Sequence, residues 1–507
     1  MKKLPSVLLA IAASTLAIPA AAQDGDMEAR FQLLEQRLQA LEAQNSQLRA
    51  EIEVRDNAAA QTPIATPRAA PQDAYAGHAN NVSSEDSDSQ GFVGTNSSYA
   101  YEMLDHAENV TTKSLVQLEA LASGELRNKV TLSGGTTVLM NQQWSNRPDK
   151  FGYLMRHPTS GNQRGKSVSE AVIHSAHLAV TAKLSDDFSS YAELLYDPEQ
   201  SFGAGTNTAL ARNQVQLRQG WIMFGNLNKR PVYALVGKMY VPFGLNDTVS
   251  PFTNSTNWHA FAGLAYGAQV GVKTGGLSVR AMAVQGGSQF RGANAPVNGT
   301  SVPSKLNNFA VDGSYTLSLD GNGNSVKAGA SYLHGSAYCQ SYPVVHFNPC
   351  VDNNPAYSAY GKINYGPLTV LGEFAQTTKV WPGSAVPDQS NPLSQFAAQK
   401  TQAFTVGARL GFGKSEENTQ GAPLALSAEF SKFRAGADGA PWERQNQVVL
   451  GLSWFAAQNI NLFSELTHVD GYAPLNFVSG GNFPDGSTWS DRDAATNVAL
   501  VGAQVAF

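Results

Sequence analysis

The sequence has little charge, little cysteine and few long apolar runs. Charged residues make up 15% of its 507 residues, against roughly 25% in a typical soluble domain. After the N-terminus no stretch reaches the ~18 apolar residues that a membrane-spanning helix needs, and the mean hydropathy is −0.24. A net charge of −5 gives no basic surface for nucleic acid. What is left is a secreted β-rich protein, or a membrane barrel whose apolar residues alternate with polar ones.

The first 22 residues have the layout of a secretory signal peptide. A positive start at Lys2 and Lys3 precedes a short apolar stretch and a run of alanines, the pattern of a cleavage site. A retained N-terminal anchor is the alternative, and the short length of the apolar stretch favours cleavage. The two cysteines, Cys339 and Cys350, then lie in an exported chain, where we expect one disulfide that closes a loop.

Residues 23–56 carry a heptad repeat that predicts a coiled coil. Its apolar stripe is narrow, which favours association between copies of the chain over one helix packed on its own protein. The residues expected to hold the oligomer together are Leu34, Leu38, Leu41, Asn45, Leu48 and Ile52. An Ala-, Pro- and Ser-rich segment at 57–100 predicts a flexible linker, and residues 101–127 predict a short helical lead-in, with a helix near 113–122.

From residue 128 to residue 507 the hydrophobic period changes to two. We predict about sixteen strands of ~9–13 residues, the length of a tilted strand that spans a membrane. Long and short connections alternate, as in barrels whose two ends face different compartments. The sequence therefore predicts an all-β fold, a transmembrane antiparallel β-barrel with an N-terminal periplasmic α-helical coiled coil at its short-turn end.

No pattern in the chain predicts an enzyme, a cofactor or a metal site. The segment ending at Ser167 resembles a phosphate-binding loop, but Ser160 stands in place of its first glycine. His174 and His177 lie three residues apart on a predicted strand, where their side chains should point to opposite faces. The two cysteines lack the further ligands that zinc requires.

Charged residues of the less apolar row are the candidates for lining the lumen, where barrels select their solutes. In strands 188–196 and 232–241 both rows are apolar, so the pattern does not separate them. Acids and bases are nearly balanced, and pairing that merely stiffens the lumen is the alternative to a role in selection. The candidates are Glu193, Arg218, Lys238, Arg280, Asp312, Lys327, Lys362, Glu373, Arg409, Glu429 and Glu465.

Two segments resemble known families. Phe507, which closes the last strand, resembles the C-terminal assembly signal of Gram-negative outer-membrane proteins. The segment Val236–Gly244 resembles a strand end of the phosphate-selective porins and of the LbtU-like siderophore porins. Members of the second family are similar to this chain in placing a coiled coil before the barrel, a layout that DcaP-like trimeric porins share.

The resemblance implies a porin in the Gram-negative outer membrane, a homotrimer in contact with outer-membrane lipid, that passes small solutes and takes up iron siderophores. A phosphate-selective pore should show only bases along its wall, and the balanced lumen row counts against that subfamily. The alternatives are an anion-, phosphate- or dicarboxylate-selective porin and a structural barrel that tethers the envelope through its coiled coil.

Overall fold

The computed structural model describes residues 91–155, 165–197, 215–285, 306–320, 323–339, 353–380, 396–397, 399–413, 423–473 and 490–507. The signal peptide, the heptad residues Leu34, Leu38, Leu41, Asn45, Leu48 and Ile52, and Cys350 lie outside the described residues. Among the described residues, no helix is both long and apolar enough to cross a membrane.

Sixteen long strands form one closed antiparallel sheet in the described part of the chain. Each strand pairs with the next along the chain, and the last pairs with the first. The strands are β2 (Val130–Ser145), β3 (Ser167–Lys183), β4 (Phe188–Tyr196), β5 (Val215–Gly225), β6 (Val232–Tyr240), β7 (Leu264–Thr274), β8 (Leu277–Val284), β9 (Asn308–Ser318), β10 (Ser325–Leu333), β11 (Ala356–Tyr365), β12 (Leu368–Thr377), β13 (Gln402–Phe412), β14 (Leu424–Arg434), β15 (Arg444–Ala457), β16 (Ile460–Tyr472) and β17 (Asp491–Ala506). A short strand, β1 (Val93–Thr95), pairs in parallel with the start of β2. The predicted barrel is confirmed.

The outward row of the barrel is apolar and exposed, and the inward row is polar and buried. Met140 is 61% exposed, Leu450 52% and Val501 54%, whereas the neighbouring inward residues Asn141 and Val449 are nearly inaccessible. A continuous apolar outer surface is stable against lipid, and closure of the sheet leaves no unpaired edge in it. The fold is therefore a transmembrane barrel.

Long and short connections alternate, with one departure from the expected pattern. The connections at 275–276, 366–367 and 458–459 are two-residue turns at the end where β1 joins the barrel. At that same end the connection 413–423 is longer than 435–443 at the opposite end. Connection length therefore separates the two ends of the barrel everywhere except around β14.

Phe507 extends the seam between the first and last barrel strands. Its N–H donates to the Gly134 carbonyl at 2.8 Å, and the Gly134 N–H donates to the Phe507 carbonyl at 2.9 Å. The phenyl ring lies over Gly134, where a Cβ would come within 2.2 Å of the ring. Glycine at this position leaves the room that the ring occupies, and the role of Phe507 as an assembly signal stays a prediction.

Residues 96–127, the plug segment, fold inside the barrel at its short-turn end. They form α1 (Ser97–Leu104), a 3-10 turn (Val110–Thr112) and α2 (Lys113–Ser123), which matches the predicted short helix. Asn96 caps α1 by accepting the Tyr99 N–H at 2.9 Å. Residues 91–100 were expected to belong to the flexible linker; they instead form β1 and the start of α1, because pairing with β2 and the Asn96 cap satisfy their backbone.

The plug segment is bound to inward side chains around the barrel. Tyr99 and Met103 of α1 and Leu118 of α2 are buried in the same apolar cluster as Trp221 of the wall. The polar pairs are Tyr99–Thr181 on β3 at 2.9 Å, Gln117–Ser189 on β4 at 3.0 Å, Gln117–Trp221 on β5 at 2.8 Å and Tyr101–Gln504 on β17 at 3.1 Å. These strands lie on one side of the barrel, and Arg280 on β8 and Lys362 on β11 contact the segment from the other side, at Thr111 and Glu108, so the segment crosses the lumen.

Candidate functional site

The connection between β6 and β7, residues 241–263, folds into the lumen. Nearly all of its residues are buried, and it contains the short helix α3 (Thr256–Phe261). We call it the inward loop. The sequence predicts a long connection here but gives no reason to choose it over the other long connections as the one that enters the barrel.

Three wall carboxylates hold the inward loop against every second strand. Glu373 on β12, Glu429 on β14 and Glu465 on β16 each accept backbone N–H groups of the loop, in chain order. The bonds are Asn246 N–H to Glu373 at 2.8 Å, Val249 N–H to Glu429 at 3.0 Å, and Phe252 and Thr253 N–H to Glu465 at 2.8 and 3.0 Å. All three acids lie on the inward row, where the loop covers them, so they fix the loop and do not face a solute.

The wall beneath the loop has the small residues that close packing requires. A Cβ on Gly451 of β15 would come within 2.5 Å of the Pro251 ring. Beyond this point the loop turns back, and the Thr256 N–H donates to the Ser431 hydroxyl on β14 at 3.0 Å. The loop therefore lies flat on the β12–β16 wall and leaves the remaining lumen to the plug segment and the polar space beside it.

A buried ion pair joins the wall, the plug segment and the inward loop. Arg280 on β8 and Asp312 on β9 lie 2.6 Å apart, and both side chains are at most 2% exposed. Arg280 also donates to the Thr111 carbonyl of the plug segment, and the Thr111 hydroxyl donates to the Gly244 carbonyl of the loop at 3.1 Å. Ser331 completes this hydrogen-bond network: its hydroxyl donates to Asp312 at 2.8 Å and accepts the Gly244 N–H at 2.9 Å.

Three bases of the predicted lumen row lie together on β10, β11 and β13. Lys327 stands directly opposite Lys362 in the strand register, and Arg409 lies two strands further along the sheet from β11. Glu108 of the plug segment lies between two of them, 2.9 Å from the Lys362 ammonium and 2.6 Å from the Arg409 guanidinium. Asp247 of the inward loop is 3.6 Å from Lys362. The structure thus brings these three predicted residues into one site, the basic patch.

The carboxylate of Glu108 is charged in this position. Burial raises the pKa of Glu108, but Arg409 and Lys362 lower it by more, so the net pKa lies well below its ordinary range. A depressed carboxyl pKa stabilises the folded contact at every pH above the ordinary value, and that stabilisation is lost only as the pH falls through the depressed value. The contact with the basic patch therefore persists at neutral and mildly acidic pH.

A polar cavity of about 230 Å³ borders the Glu108–Arg409 pair. It lies between the plug segment, the inward loop and the β11–β16 wall, at the short-turn end of the lumen. Its lining includes Asp105, Glu108, Ser250, Asn364, Thr369 and Arg409. Of the basic patch, Arg409 therefore faces this cavity, whereas Lys327 and Lys362 do not line it.

Glu193 and Arg218 lie on the lumen side near a second, smaller cavity. Glu193 accepts a hydrogen bond from Gln219 at 3.0 Å and lies 2.8 Å from His177 Nδ1. Arg218 occupies a bulge where the β4–β5 register shifts. His174 also lies at a register shift, between β2 and β3, and lines this cavity together with His177. The two histidines were expected on opposite faces, and the bulge is the reason that this expectation is wrong.

The predicted position of Lys238 is wrong. It was expected in the lumen row, but in the register it stands opposite Gly220 and Tyr266, and Tyr266 is 45% exposed on the outward face. Its ammonium donates to the Leu217 carbonyl at 2.9 Å and lies 5.9 Å from the centre of the Tyr266 ring. Apolar residues fill the inward row of β6 because they pack on the plug segment, so the more apolar row is not the lipid row in this strand.

The structure describes one of the two cysteines. Cys339 is buried and disulfide-bonded, and Cys350 lies outside the described residues. Within the described ranges no group of three or more His, Cys, Asp or Glu is placed to hold a metal ion.

Comparison with known proteins gives weak sequence similarity and barrel neighbours. No protein-family model matches the sequence. A "UPF0422 protein" of Coxiella burnetii (strain RSA 493 / Nine Mile phase I) is 24% identical over 200 residues, and the match spans 38% of this chain and 38% of that protein.

Three of the solved structures that this chain is similar to are the following. An anion-selective porin from Comamonas acidovorans has 13% identity and a TM-score of 0.47, covering 75% of this chain and 100% of that one. The outer membrane channel DcaP of Acinetobacter baumannii has 14% identity and a TM-score of 0.44, covering 75% and 97%. OprB of Pseudomonas putida has 9% identity and a TM-score of 0.44, covering 79% and 99%.

Proposed function

We propose that the protein is an outer-membrane channel through which small polar solutes diffuse. The observation that carries the proposal is the inward loop, which three buried carboxylates, Glu373, Glu429 and Glu465, hold at a fixed place on the wall of a polar lumen. Buried carboxylates are costly unless they are fully bonded. A barrel that served only to tether the envelope would need neither the constriction nor these groups.

The plug segment makes this a channel with a closed state. It crosses the short-turn end of the lumen and is held there by hydrogen bonds to β3, β4, β5 and β17. Channels of this architecture are either open or filled by loops and helices. Solutes would pass when the plug segment shifts away from the polar cavity at Glu108 and Arg409.

Recording from the purified full-length protein in planar lipid bilayers tests the proposal. We expect discrete conductance steps, as brief openings when the plug segment moves aside. A folded barrel that inserts into the bilayer and carries no ion current would contradict the channel, and binding to isolated cell wall would then favour the tethering alternative.

We propose that the solutes include iron siderophores, as the resemblance to the LbtU-like siderophore porins implies. The polar cavity of about 230 Å³ is smaller than the ~300–1,000 Å³ of sites that enclose drug-sized ligands. A ferric siderophore would therefore pass only with the plug segment displaced. Liposome swelling with sugars, dicarboxylates, phosphate and ferric chelates ranks these solutes directly.

We further propose that the coiled coil at 23–56 holds the protein as a homotrimer, with lipid around the outer wall. Asn45 at an a position fixes register and strand number at a cost in stability. Deleting residues 27–55 is expected to convert the trimer to smaller species in mild detergent, measured by light scattering. Replacing Asn45 by Leu is the matched variant, which should stabilise the coil but broaden the oligomer distribution. An unchanged mass after the deletion would contradict the proposal.

A further inference from the structure

The basic patch has more bases than it has carboxylates at ion-pair distance. Lys327, Lys362 and Arg409 face two acids, Glu108 and Asp247, at ion-pair distance from members of the patch. Within the part of the chain that the structure describes, Lys327 has no carboxylate at ion-pair distance, and its ammonium lies 6.0 Å from the centre of the Tyr360 ring.

The strand register makes the placement of the patch costly without an anion. Lys327 and Lys362 are directly opposite each other on the inward face of β10 and β11, and like charges at such positions destabilise a sheet. The wall supplies no carboxylate within ion-pair distance of them among the described residues. Both acids that compensate them come from the interior segments, Glu108 from the plug segment and Asp247 from the inward loop.

The contact made by Glu108 has the geometry of carboxylate recognition. One carboxylate oxygen lies 2.9 Å from Lys362 and the other lies 2.6 Å from Arg409, so two bases on different strands hold one carboxylate. Charge-assisted bonds of this kind are the strong ones. Glu108 remains 27% exposed, and its pair with Arg409 borders the polar cavity. An entering solute can therefore reach the bases as the plug segment leaves them.

We infer that Lys327, Lys362 and Arg409 form a carboxylate-binding site of the lumen, which Glu108 occupies as an internal competitor when the plug segment is in place. The inference rests on the proposed channel function and adds a solute class to it. Organic anions with more than one carboxylate fit the site best, since the three bases exceed one carboxylate in charge. Displacement of Glu108 by such a solute would couple its entry to movement of the plug segment.

Block of the bilayer current by citrate tests the site. In Glu108→Gln the competitor is removed, and we expect the half-blocking citrate concentration to fall about tenfold relative to the unmodified protein. Adding Arg409→Gln or Lys362→Gln to this variant should raise the concentration again, to the starting value or above it. Inorganic phosphate should block more weakly than citrate in every variant.

Glu119→Gln is the matched control. Glu119 also belongs to the plug segment and forms an ion pair with the wall, 3.1 Å from Lys273, but it lies outside the basic patch. Its replacement loosens the segment by one pair without vacating the site, so the half-blocking citrate concentration should stay unchanged. Equal shifts in Glu108→Gln and Glu119→Gln would overturn the inference, as would no shift in Glu108→Gln or equal block by phosphate.

Current recording and calorimetric titration together distinguish a protein without the binding site from a protein that is not a channel. Current without the expected citrate shift overturns the binding site and leaves the channel in place. Absence of any current overturns the channel, and calorimetric titration of the detergent-solubilised full-length protein with citrate then decides the site. In that titration Glu108→Gln must bind about tenfold more tightly than the unmodified protein while Glu119→Gln does not, and any other result overturns the site.

Discussion

Replacing Glu465 by Ala is expected to raise the single-channel conductance at least about twofold, because the constriction sets the passage of ions through such a pore. Glu465 accepts three hydrogen bonds from the inward loop, from the N–H groups of Phe252 and Thr253 and from the Thr253 hydroxyl. A buried donor that loses its partner costs about 1–3 kcal/mol. Without the carboxylate the loop leaves two unsatisfied N–H groups against the wall, so it is more stable when it swings into the lumen water.

The other carboxylates that bind loop N–H groups should have smaller effects on conductance, and one of them serves as a control. Glu429 accepts the Thr248 hydroxyl and the Val249 N–H, so Glu429→Ala should have a smaller effect than Glu465→Ala. Glu443→Gln is the matched control, because Glu443 also accepts a loop N–H, from Gly439 at 2.8 Å, in the connection 435–443. Single-channel recording measures all three variants. Equal conductance in Glu465→Ala and Glu443→Gln would show that the carboxylate does not fix the constriction.

The strands of the barrel can be predicted from the sequence because lipid enforces a period of two. Outward residues such as Leu450 and Val501 must be apolar, and the polar inward residues between them produce an alternation that no helix shares. Strand register follows from the same rule, and the closure of β17 on β2 follows from the even strand number. The signal fails in β6, where Lys238 is outward, because the plug segment makes the inward row apolar as well.

The contents of the lumen cannot be predicted in this way. The inward loop and the plug segment are aperiodic stretches whose place is decided by contacts with residues far along the chain, such as Val249 with Glu429 and Glu108 with Arg409. The sequence predicts a row of charged residues that faces inward, and Lys238 departs from it. It does not predict their partners, since a balanced count of acids and bases fits pairing across the wall as well as pairing with interior segments.

Low charge does not single out the inward loop in the sequence. The stretch 241–263 has one acid and no Lys or Arg, but the connections 335–355 and 474–490 also have one acid and no Lys or Arg. The contacts with the wall carboxylates, and not the composition, decide which connection enters the barrel.

Removing one partner of the Arg280–Asp312 pair is expected to destabilise the barrel by about 3–5 kcal/mol, because it leaves a buried charge without compensation. Asp312 accepts bonds from Arg280, from Ser331 at 2.8 Å and from the Tyr360 hydroxyl at 2.7 Å. Asp312→Ala therefore leaves three buried donors without their acceptor, and Arg280→Ala leaves the buried carboxylate without its counter-charge. The loss of stability is measured by gel mobility, because the folded and unfolded barrels migrate differently. In both single variants the unfolded band should appear at a lower temperature or urea concentration than in the unmodified protein.

The double variant Arg280→Met with Asp312→Leu distinguishes the contribution of the ion pair from that of the hydrogen bonds around it. Replacing a buried ion pair by apolar residues of similar volume is often neutral or stabilising, so the double variant should lose less stability than either single variant. If the pair also holds the plug segment through Thr111, the double variant should fold and yet show longer openings in bilayer recordings. A double variant as unstable as the sum of the single variants would mean that the two side chains act independently. Recovered stability with unchanged openings would mean that the plug segment is held by its other contacts, Glu108 with the basic patch first among them.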